Sequence, residues 1–170
     1  MAANLEILAE ELGALLRTRG WVIGTAESCT GGMVAAAITD VAGSSAWFDE
    51  GLVTYANNSK QSLLGVSEAQ LADQGAVSKA VVEAMAVGVL GRGSDLGVAT
   101  SGVAGPGGGT SEKPVGTVWF AWAVAGHRLS ECVHFSGGRP EVRAQATYHA
   151  LMGALEYMKS VSAEGVISTV

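Results

Sequence analysis

The sequence predicts an α/β protein with the architecture of a three-layer α/β/α sandwich, in which helices cover both faces of one mixed β-sheet. Short apolar segments rich in β-branched residues alternate with helical segments along the chain, as in a layered domain. Near the C-terminal end two apolar strands follow each other closely, so part of the sheet is expected to be antiparallel. The 170 residues suffice for one buried core. We expect one domain over residues 1–160 and a flexible tail over residues 161–170.

The first half of the chain shows the patterns of two helices and two strands. Leucines at positions 5, 8, 12, 15 and 16 predict an amphipathic helix that ends near Gly20. A strand over 21–26, a helix over 33–42 and a second strand over 51–56 are predicted to follow. Residues 59–64 form a short segment of mixed polarity, to which the pattern assigns no element.

The second half begins with two predicted helices, which Ser67 and Ser78 open as capping residues. A buried strand over 96–101 leads into a glycine-rich loop over 102–114. Strands over 115–124 and 129–135 are predicted to pair as a hairpin through a turn at 125–128. The last helix starts at the Gly-Gly-Arg-Pro segment over 137–140, because proline is tolerated in a first helical turn.

Composition and charge argue against several classes of protein. The 16 acidic and 10 basic residues give a net charge of −6 without any basic run, so we expect no nucleic-acid partner. The apolar segments are interrupted well before the ~18 residues of a membrane span, and no export signal is visible. We therefore expect a cytoplasmic protein without a membrane partner. The cysteines and histidines lack ligand spacing, so neither a disulfide scaffold nor a metal site is expected.

The segment Glu-Ser-Cys-Thr-Gly-Gly over 27–32 is the first candidate site. Ser28 lies in a predicted strand-to-helix turn, where free backbone N–H groups suit an anion or an oxyanion. Gly31 and Gly32 would let a ligand approach the backbone closely. Alternatively, Ser28 or Thr30 only caps the helix. Cys29 is a second nucleophile candidate if the helix start lowers its pKa, or else a small buried side chain.

Tyr55 and Lys60 form the second candidate constellation. Both are expected at the edge of the sheet that carries Ser28, where a lysine or a phenol can take the proton of a serine hydroxyl. The alternative is a surface lysine and a tyrosine that completes the core. Which of the two side chains accepts the proton first stays open at this point.

The glycine-rich loop and two arginines are candidates for binding a nucleotide. The loop has neither a Walker A ending nor a GxGxxG fingerprint, but its backbone can form a nest for phosphate or ribose. A structural Ω-loop is the alternative. Arg139 and Arg143 lie one helical turn apart, where two guanidinium groups can bind one phosphate together. The alternative is that both are solvated surface arginines.

Five segments together resemble the family of CinA C-terminal domains, the nicotinamide-nucleotide amidohydrolases, over roughly residues 5–158. These segments are TAESCTGG, TDVAGSSAWFDEGLVTYANNSK, GAVS, TSGVAGPGGGTSEKPVGTVWFA and FSGGRPEVRAQAT. The resemblance implies that the carboxamide of nicotinamide mononucleotide is hydrolysed to nicotinate mononucleotide and ammonia in pyridine-nucleotide recycling, without a cofactor. Some relatives carry a further N-terminal domain with a pyrophosphatase activity, which is not expected of this chain.

The resemblance also assigns roles to individual positions. It places the catalytic serine, tyrosine and lysine at Ser28, Tyr55 and Lys60. The nucleotide-binding loop and the late arginine of the family fall on the stretch from Gly105 to Lys113 and on Arg143. The full set of expected substrate-binding residues is Thr30, Gly31, Gly32, Gly105, Gly107, Gly108, Gly109, Lys113 and Arg143.

Two functional hypotheses follow. In the first, Ser28 attacks the carboxamide carbonyl and N–H groups between Cys29 and Gly32 stabilise the oxyanion. In the second, the same loops form a regulatory module that binds a pyridine nucleotide without turnover. In both, the partner is a small molecule. Trp47 and Phe48 are candidates for exposed aromatic residues and hint at a homo-oligomer.

Overall fold

The computed structural model describes residues 2–161, in which helices and strands alternate as predicted. The helices are α1 (Ala2–Arg19), α2 (Met33–Thr39), α3 (Asn57–Leu64), α4 (Glu68–Gln74), α5 (Lys79–Leu90) and α6 (Arg139–Ser160), with a short 3₁₀ turn at Ser44–Ala46. The strands are β1 (Ile23–Glu27), β2 (Phe48–Val53), β3 (Leu96–Gly102), β4 (Thr117–Val124) and β5 (His127–His134).

The five strands form one sheet in the order β2-β1-β3-β4-β5. β1 lies between β2 and β3 and is parallel to both. β4 is antiparallel to β3 and to β5, and the late hairpin therefore supplies the antiparallel half. The predicted mixed sheet is confirmed.

Helices cover both faces of this sheet, which confirms the sandwich. Successive strand residues point to opposite faces, and Val98 and its neighbour Ala99 accordingly belong to different hydrophobic clusters. The first cluster contains residues of α1, α2 and α6, such as Leu12 and Leu151, and the second contains residues of α3 and α5, such as Met85.

Serine caps start two of the helices, as predicted. Ser67 forms a capping box with Gln70 at the start of α4, since the side chain of each accepts from the backbone N–H of the other. The Ser78 hydroxyl accepts from the N–H of Val81 at the start of α5. Both serines satisfy N–H groups that have no partner inside the helix.

Several element boundaries differ from the prediction. β2 spans Phe48–Val53 rather than 51–56, because as an edge strand it carries acidic residues that hide its start in the sequence. Tyr55 therefore lies beyond the strand. α3 begins at Asn57, so the segment without an assigned element is helical. α2 ends at Thr39 rather than at 42, and β5 begins at His127 instead of 129.

The suggestion that Trp47 is exposed is wrong. Its side chain is 0% exposed and packs in the first hydrophobic cluster, while Phe48 is partly buried against that cluster. The reason for expecting a homo-oligomer therefore falls away, and the oligomeric state stays a prediction.

None of the helices among residues 2–161 is both long and apolar enough to cross a membrane. The tail predicted over 161–170 lies outside the described residues except for Val161, which is buried in the first cluster.

Gly153 on α6 provides a test of packing between this helix and the sheet. A Cβ at Gly153 would lie 2.1 Å from Cζ2 of Trp122, whose indole is buried and donates to the Ala150 carbonyl. We expect Gly153→Ala to lower the free energy of unfolding by about 1–3 kcal/mol, since overpacking outweighs the better helix propensity of alanine. Chemical denaturation measures this change.

Gly91→Ala at the end of α5 is the matched control, because its Cβ meets no atom closer than 3.5 Å. Equal stability changes in the two variants would contradict the packing described for Trp122.

Candidate active site

Three chain segments meet at the carboxyl edge of the parallel strands. Ser28 follows β1 directly, Tyr55 comes two residues after β2, and Ser101 lies at the end of β3. This edge is where open α/β sheets bind ligands. A cavity of about 220 Å³ opens there. Its lining residues are Ser28, Cys29, Tyr55, Asn57, Lys60, Ala76, Val77, Ser101, Gly102, Ala104 and Arg139.

Lys60 reaches Ser28 from the first turn of α3. Its Nζ lies 3.2 Å from Ser28 Oγ and also donates to the carbonyl of Thr54 at 2.7 Å and that of Tyr55 at 3.3 Å. The residue is only 1% exposed, and none of the ion pairs in the described part of the chain includes it. Burial lowers the pKa of Lys60 from its ordinary value of 10.5. The neutral amine is thereby favoured beside the serine hydroxyl.

Tyr55 lies at the mouth of the cavity rather than over the serine. Its side chain is 61% exposed, and its hydroxyl accepts a hydrogen bond from Nη2 of Arg139 at 3.1 Å. Within residues 2–161, the hydroxyl makes no hydrogen bond to Ser28 or to Lys60. Lys60 is therefore the side chain in direct contact with the serine, and Tyr55 faces whatever enters the cavity.

Glu27 holds the start of α2 in place of an ordinary capping residue. Its carboxylate, 1% exposed, accepts from the backbone N–H groups of Gly32, Val34 and Ala35 at 3.0, 3.1 and 2.8 Å. The N-cap residue is Gly32, which has a φ of +96° and no side chain to perform this task. The N–H groups that the sequence suggested for an anionic ligand are therefore occupied by the protein's own carboxylate.

The expected oxyanion donors are correspondingly fewer. Gly31 N–H donates to the carbonyl of Ser28 and Gly32 N–H donates to Glu27, so neither is free for a substrate. The N–H groups of Cys29 and Thr30 donate to no backbone carbonyl in the described part of the chain, although both lie close enough to the Cys29 thiol to favour its charged form. The inclusion of Gly31 and Gly32 among the oxyanion donors is thus wrong, because an internal acceptor reaches each first.

Cys29 is a buried thiol rather than an activated one. Burial, assisted by the negative charge of Glu27, raises the pKa of Cys29 from 9.0 to about 12. The expectation that the helix start lowers this pKa is wrong, since desolvation outweighs the neighbouring N–H groups and Arg143. At neutral pH the thiol keeps its proton and is a poor nucleophile.

The two arginines of α6 point to different partners instead of sharing one. Arg143 donates through Nε to the carbonyl of Cys29 and through Nη2 to that of Thr30, both at 3.0 Å. Arg139 lines the cavity and donates through Nη1 to the carbonyl of Gly105 at 2.9 Å. Arg143 therefore braces the turn behind Ser28, whereas Arg139 spans the cavity mouth between Tyr55 and the glycine-rich loop.

None of the other expected substrate-binding residues lines the cavity. Thr30 is buried, and its hydroxyl shares a 2.8 Å hydrogen bond with that of Thr100. Lys113 donates to the carbonyl of Gln74 at 2.7 Å. Gly107, Gly108 and Gly109 are exposed, and Gly105 is buried next to the cavity residue Ala104. Their contacts with a nucleotide stay a prediction.

Glu27 and the apolar residues Ala76 and Val77 are site residues that the sequence analysis did not select. A carboxylate before a helix whose N-cap is glycine was the available signal for Glu27. Ala76 and Val77 precede α5 and have no chemical signature of their own. Among residues 2–161, no group of three or more His, Cys, Asp or Glu side chains is arranged to hold a metal ion.

Comparison with known sequences identifies close relatives. A protein of Enterobacter agglomerans named nicotinamide-nucleotide amidohydrolase PncC is 55% identical over 160 residues, covering 92% of this chain and 98% of the relative. An Escherichia coli protein of the same name is 55% identical over 151 residues, covering 88% and 92%.

Solved structures agree with these sequence matches. A CinA-superfamily protein from Klebsiella pneumoniae superimposes with a TM-score of 0.87 at 39% identity, covering 91% of this chain and 98% of that one. A competence/damage inducible protein from Agrobacterium tumefaciens gives a TM-score of 0.88 at 41% identity, covering 92% and 96%. The family model of the CinA C-terminal domain matches residues 5–158. The chain therefore belongs to the CinA C-terminal domain family.

Proposed function

We propose that the protein is an amidohydrolase that converts nicotinamide mononucleotide to nicotinate mononucleotide and ammonia, with Ser28 as the nucleophile. The observation that carries this proposal is the contact between the buried Nζ of Lys60 and Ser28 Oγ inside a cavity. The names of the relatives from Enterobacter agglomerans and Escherichia coli support the choice of substrate. A role in cytoplasmic recycling of pyridine nucleotides is part of the same proposal, since the reaction interconverts two such nucleotides.

Lys60 is the proposed general base. A serine hydroxyl becomes a strong nucleophile when an adjacent base removes its proton, and the neutral amine of Lys60 is within hydrogen-bond distance. Burial favours this neutral form, and the carbonyl of Thr54 fixes the position of the amine. As Ser28 Oγ bonds to the carboxamide carbon, its proton passes to Lys60 Nζ.

The oxyanion that forms on the carboxamide oxygen requires donors near Ser28. We assign this task to the N–H groups of Cys29 and Thr30, the two in the turn that donate to no backbone carbonyl in the described part of the chain. One such donor typically contributes about 2.7–4 kcal/mol to stabilising the transition state. The pyridinium ring of the substrate also withdraws electrons from the carbonyl carbon, which makes attack by the serine easier.

Collapse of the tetrahedral species completes the first half of the reaction. The carbon–nitrogen bond breaks as Lys60 returns its proton to the leaving nitrogen, which departs as ammonia. Water then attacks the ester on Ser28, its proton passes to Lys60 and from there to Ser28 Oγ, and nicotinate mononucleotide is released. Each proton removed by Lys60 is returned, so the enzyme ends in its starting state.

The cavity fits one end of such a substrate. Its volume of about 220 Å³ lies below the ~300–1,000 Å³ of typical pockets for whole drug-sized ligands. Ala76, Val77 and Ala104 give it an apolar wall that suits the flat ring. The ribose and phosphate then extend past Tyr55 at the mouth, towards the loop that begins at Gly105.

A regulatory module that binds the nucleotide without turnover is the competing function. Binding alone gives no reason to bury an amine against a serine hydroxyl, because removing a lysine from water is unfavourable. Release of ammonia from nicotinamide mononucleotide by the purified protein separates the two functions, since a binding module releases none.

Substitution of the two neighbouring nucleophile candidates tests which one reacts. We expect Ser28→Ala to abolish ammonia release while the product nucleotide still binds, as measured by calorimetry. Cys29→Ala should keep most of the activity, because the pKa of the thiol is about 12, and should lower stability by only ~1 kcal/mol or slightly more. An inactive Cys29→Ala together with an active Ser28→Ala would instead assign the reaction to the thiol.

The pH dependence of kcat/KM tests the role of Lys60. The neutral amine is the active form, so activity should rise with pH as Lys60 loses its proton, with a midpoint below 10.5. Lys60→Arg keeps the charge but cannot release a proton, and should lower kcat by about 10²–10⁴-fold. Lys159→Arg, at the exposed end of α6, is the matched control. Activity that increases towards acid pH would rule out a neutral lysine as the base.

A further inference from the structure

Arg139 and Arg143 lie one turn apart on the same face of α6 and are the same chemical group, yet their surroundings differ. Arg139 is exposed and lines the cavity, whereas Arg143 is half-buried and does not. Neither takes part in an ion pair within the described residues, and both guanidinium groups donate there to uncharged oxygens.

We propose that the two arginines have separate roles: Arg143 positions the oxyanion donors, and Arg139 binds the anionic group of the substrate. This inference rests on the proposed amidohydrolase function and departs from the sequence-based expectation that Arg143 contacts the nucleotide.

The positioning role follows from the planarity of the peptide bond. Arg143 Nε binds the carbonyl of Cys29, and in a trans peptide the N–H of the following residue points the opposite way. The N–H of Thr30 is therefore held pointing away from Arg143, and it is one of the two N–H groups in the turn that donate to no backbone carbonyl among residues 2–161. The second bond, from Nη2 to the carbonyl of Thr30, fixes the next peptide plane as well.

These two bonds occupy one of the edges through which a guanidinium can bind a phosphate with two parallel N–H groups. An arginine grips a carboxylate or phosphate best through two parallel N–H groups, and Arg143 spends Nε and Nη2 on two backbone carbonyls. The N–H groups that Arg143 has left belong to a half-buried side chain that does not line the cavity. Arg143 thus stabilises the turn that carries Ser28 and is not placed to bind the phosphate of the substrate.

Arg139 also donates two hydrogen bonds, but it is exposed and lines the cavity. Of its five N–H donors, one goes to the Gly105 carbonyl and one to the Tyr55 hydroxyl, and the others have no acceptor among residues 2–161, which leaves them available at the cavity mouth. The two bonds hold the guanidinium across the route by which the ribose and phosphate must leave the cavity. A cation fixed at this position recognises the monophosphate of a nucleotide.

Comparison of a nucleotide with its nucleoside tests this division of roles. Ammonia release is measured with nicotinamide mononucleotide and with nicotinamide riboside, which lacks the phosphate, and the ratio of the two kcat/KM values is compared among variants. Arg139→Ala should lower this ratio by about 10- to 150-fold, mainly through KM of the nucleotide, as expected for losing one hydrogen-bonded charge. Any effect through Tyr55 is shared by both substrates and cancels in the ratio.

Arg143→Ala should instead lower kcat for both substrates and leave the ratio unchanged. Arg143→Lys, which can reach one carbonyl but not both, should recover part of kcat and serves if the alanine variant fails to fold. Arg128→Ala is the charge-matched control, since Arg128 pairs with Glu83 on the exposed edge strand and should change neither quantity.

Calorimetric binding of nicotinate mononucleotide and of nicotinate riboside gives a second readout that needs no turnover. Arg139→Ala should weaken binding of the nucleotide alone, whereas Arg143→Ala should leave the difference between the two ligands intact. If the unaltered protein binds the nucleotide but releases no ammonia, the proposed hydrolysis fails, while the assignment of Arg139 is still decided by these affinities. A ratio that falls in Arg143→Ala, or in neither variant, overturns the division of roles.

Discussion

The contact between Lys60 and Ser28 is the constraint on which the rest of the site depends. A buried amine without a carboxylate partner is unfavourable unless its donors are satisfied, and here the carbonyls of Thr54 and Tyr55 accept the two N–H groups of the neutral amine, whose lone pair is left for the serine hydroxyl. These groups come from the ends of β1 and β2 and from α3, which only a parallel β1–β2 pair brings to one edge. The sheet topology thereby determines where the reactive pair is assembled.

The turn that carries Ser28 is held through its backbone from two sides. The Glu27 carboxylate accepts hydrogen bonds from N–H groups at the start of α2, and the Arg143 guanidinium donates hydrogen bonds to the carbonyls of Cys29 and Thr30. Because both kinds of backbone group are bound by charged side chains, the turn is fixed before any substrate arrives. Such preorganisation is what allows free N–H groups to stabilise a developing oxyanion without reorganising.

Much of the fold could be predicted from local signals, whereas the electrostatics of the site could not. Capping serines and the alternation of strands and helices are properties of neighbouring residues, so the sequence correctly predicts the caps at Ser67 and Ser78. The pKa of Cys29 depends on burial by distant segments, which outweighs the local effect of a helix start. Likewise, spacing places Arg139 and Arg143 one helical turn apart on the same face but does not reveal that each has different partners.

The protonation state of Lys60 is the central claim, and a direct titration tests it. The chain has four lysines, and their side-chain amines can be followed by NMR on ¹⁵N-labelled protein as the pH is raised. We expect one resonance, absent from the Lys60→Arg variant, to titrate below the ordinary value of 10.5. If the resonance of Lys60 titrates at or above 10.5, the buried amine is a permanent cation, and it does not act as the base that activates Ser28.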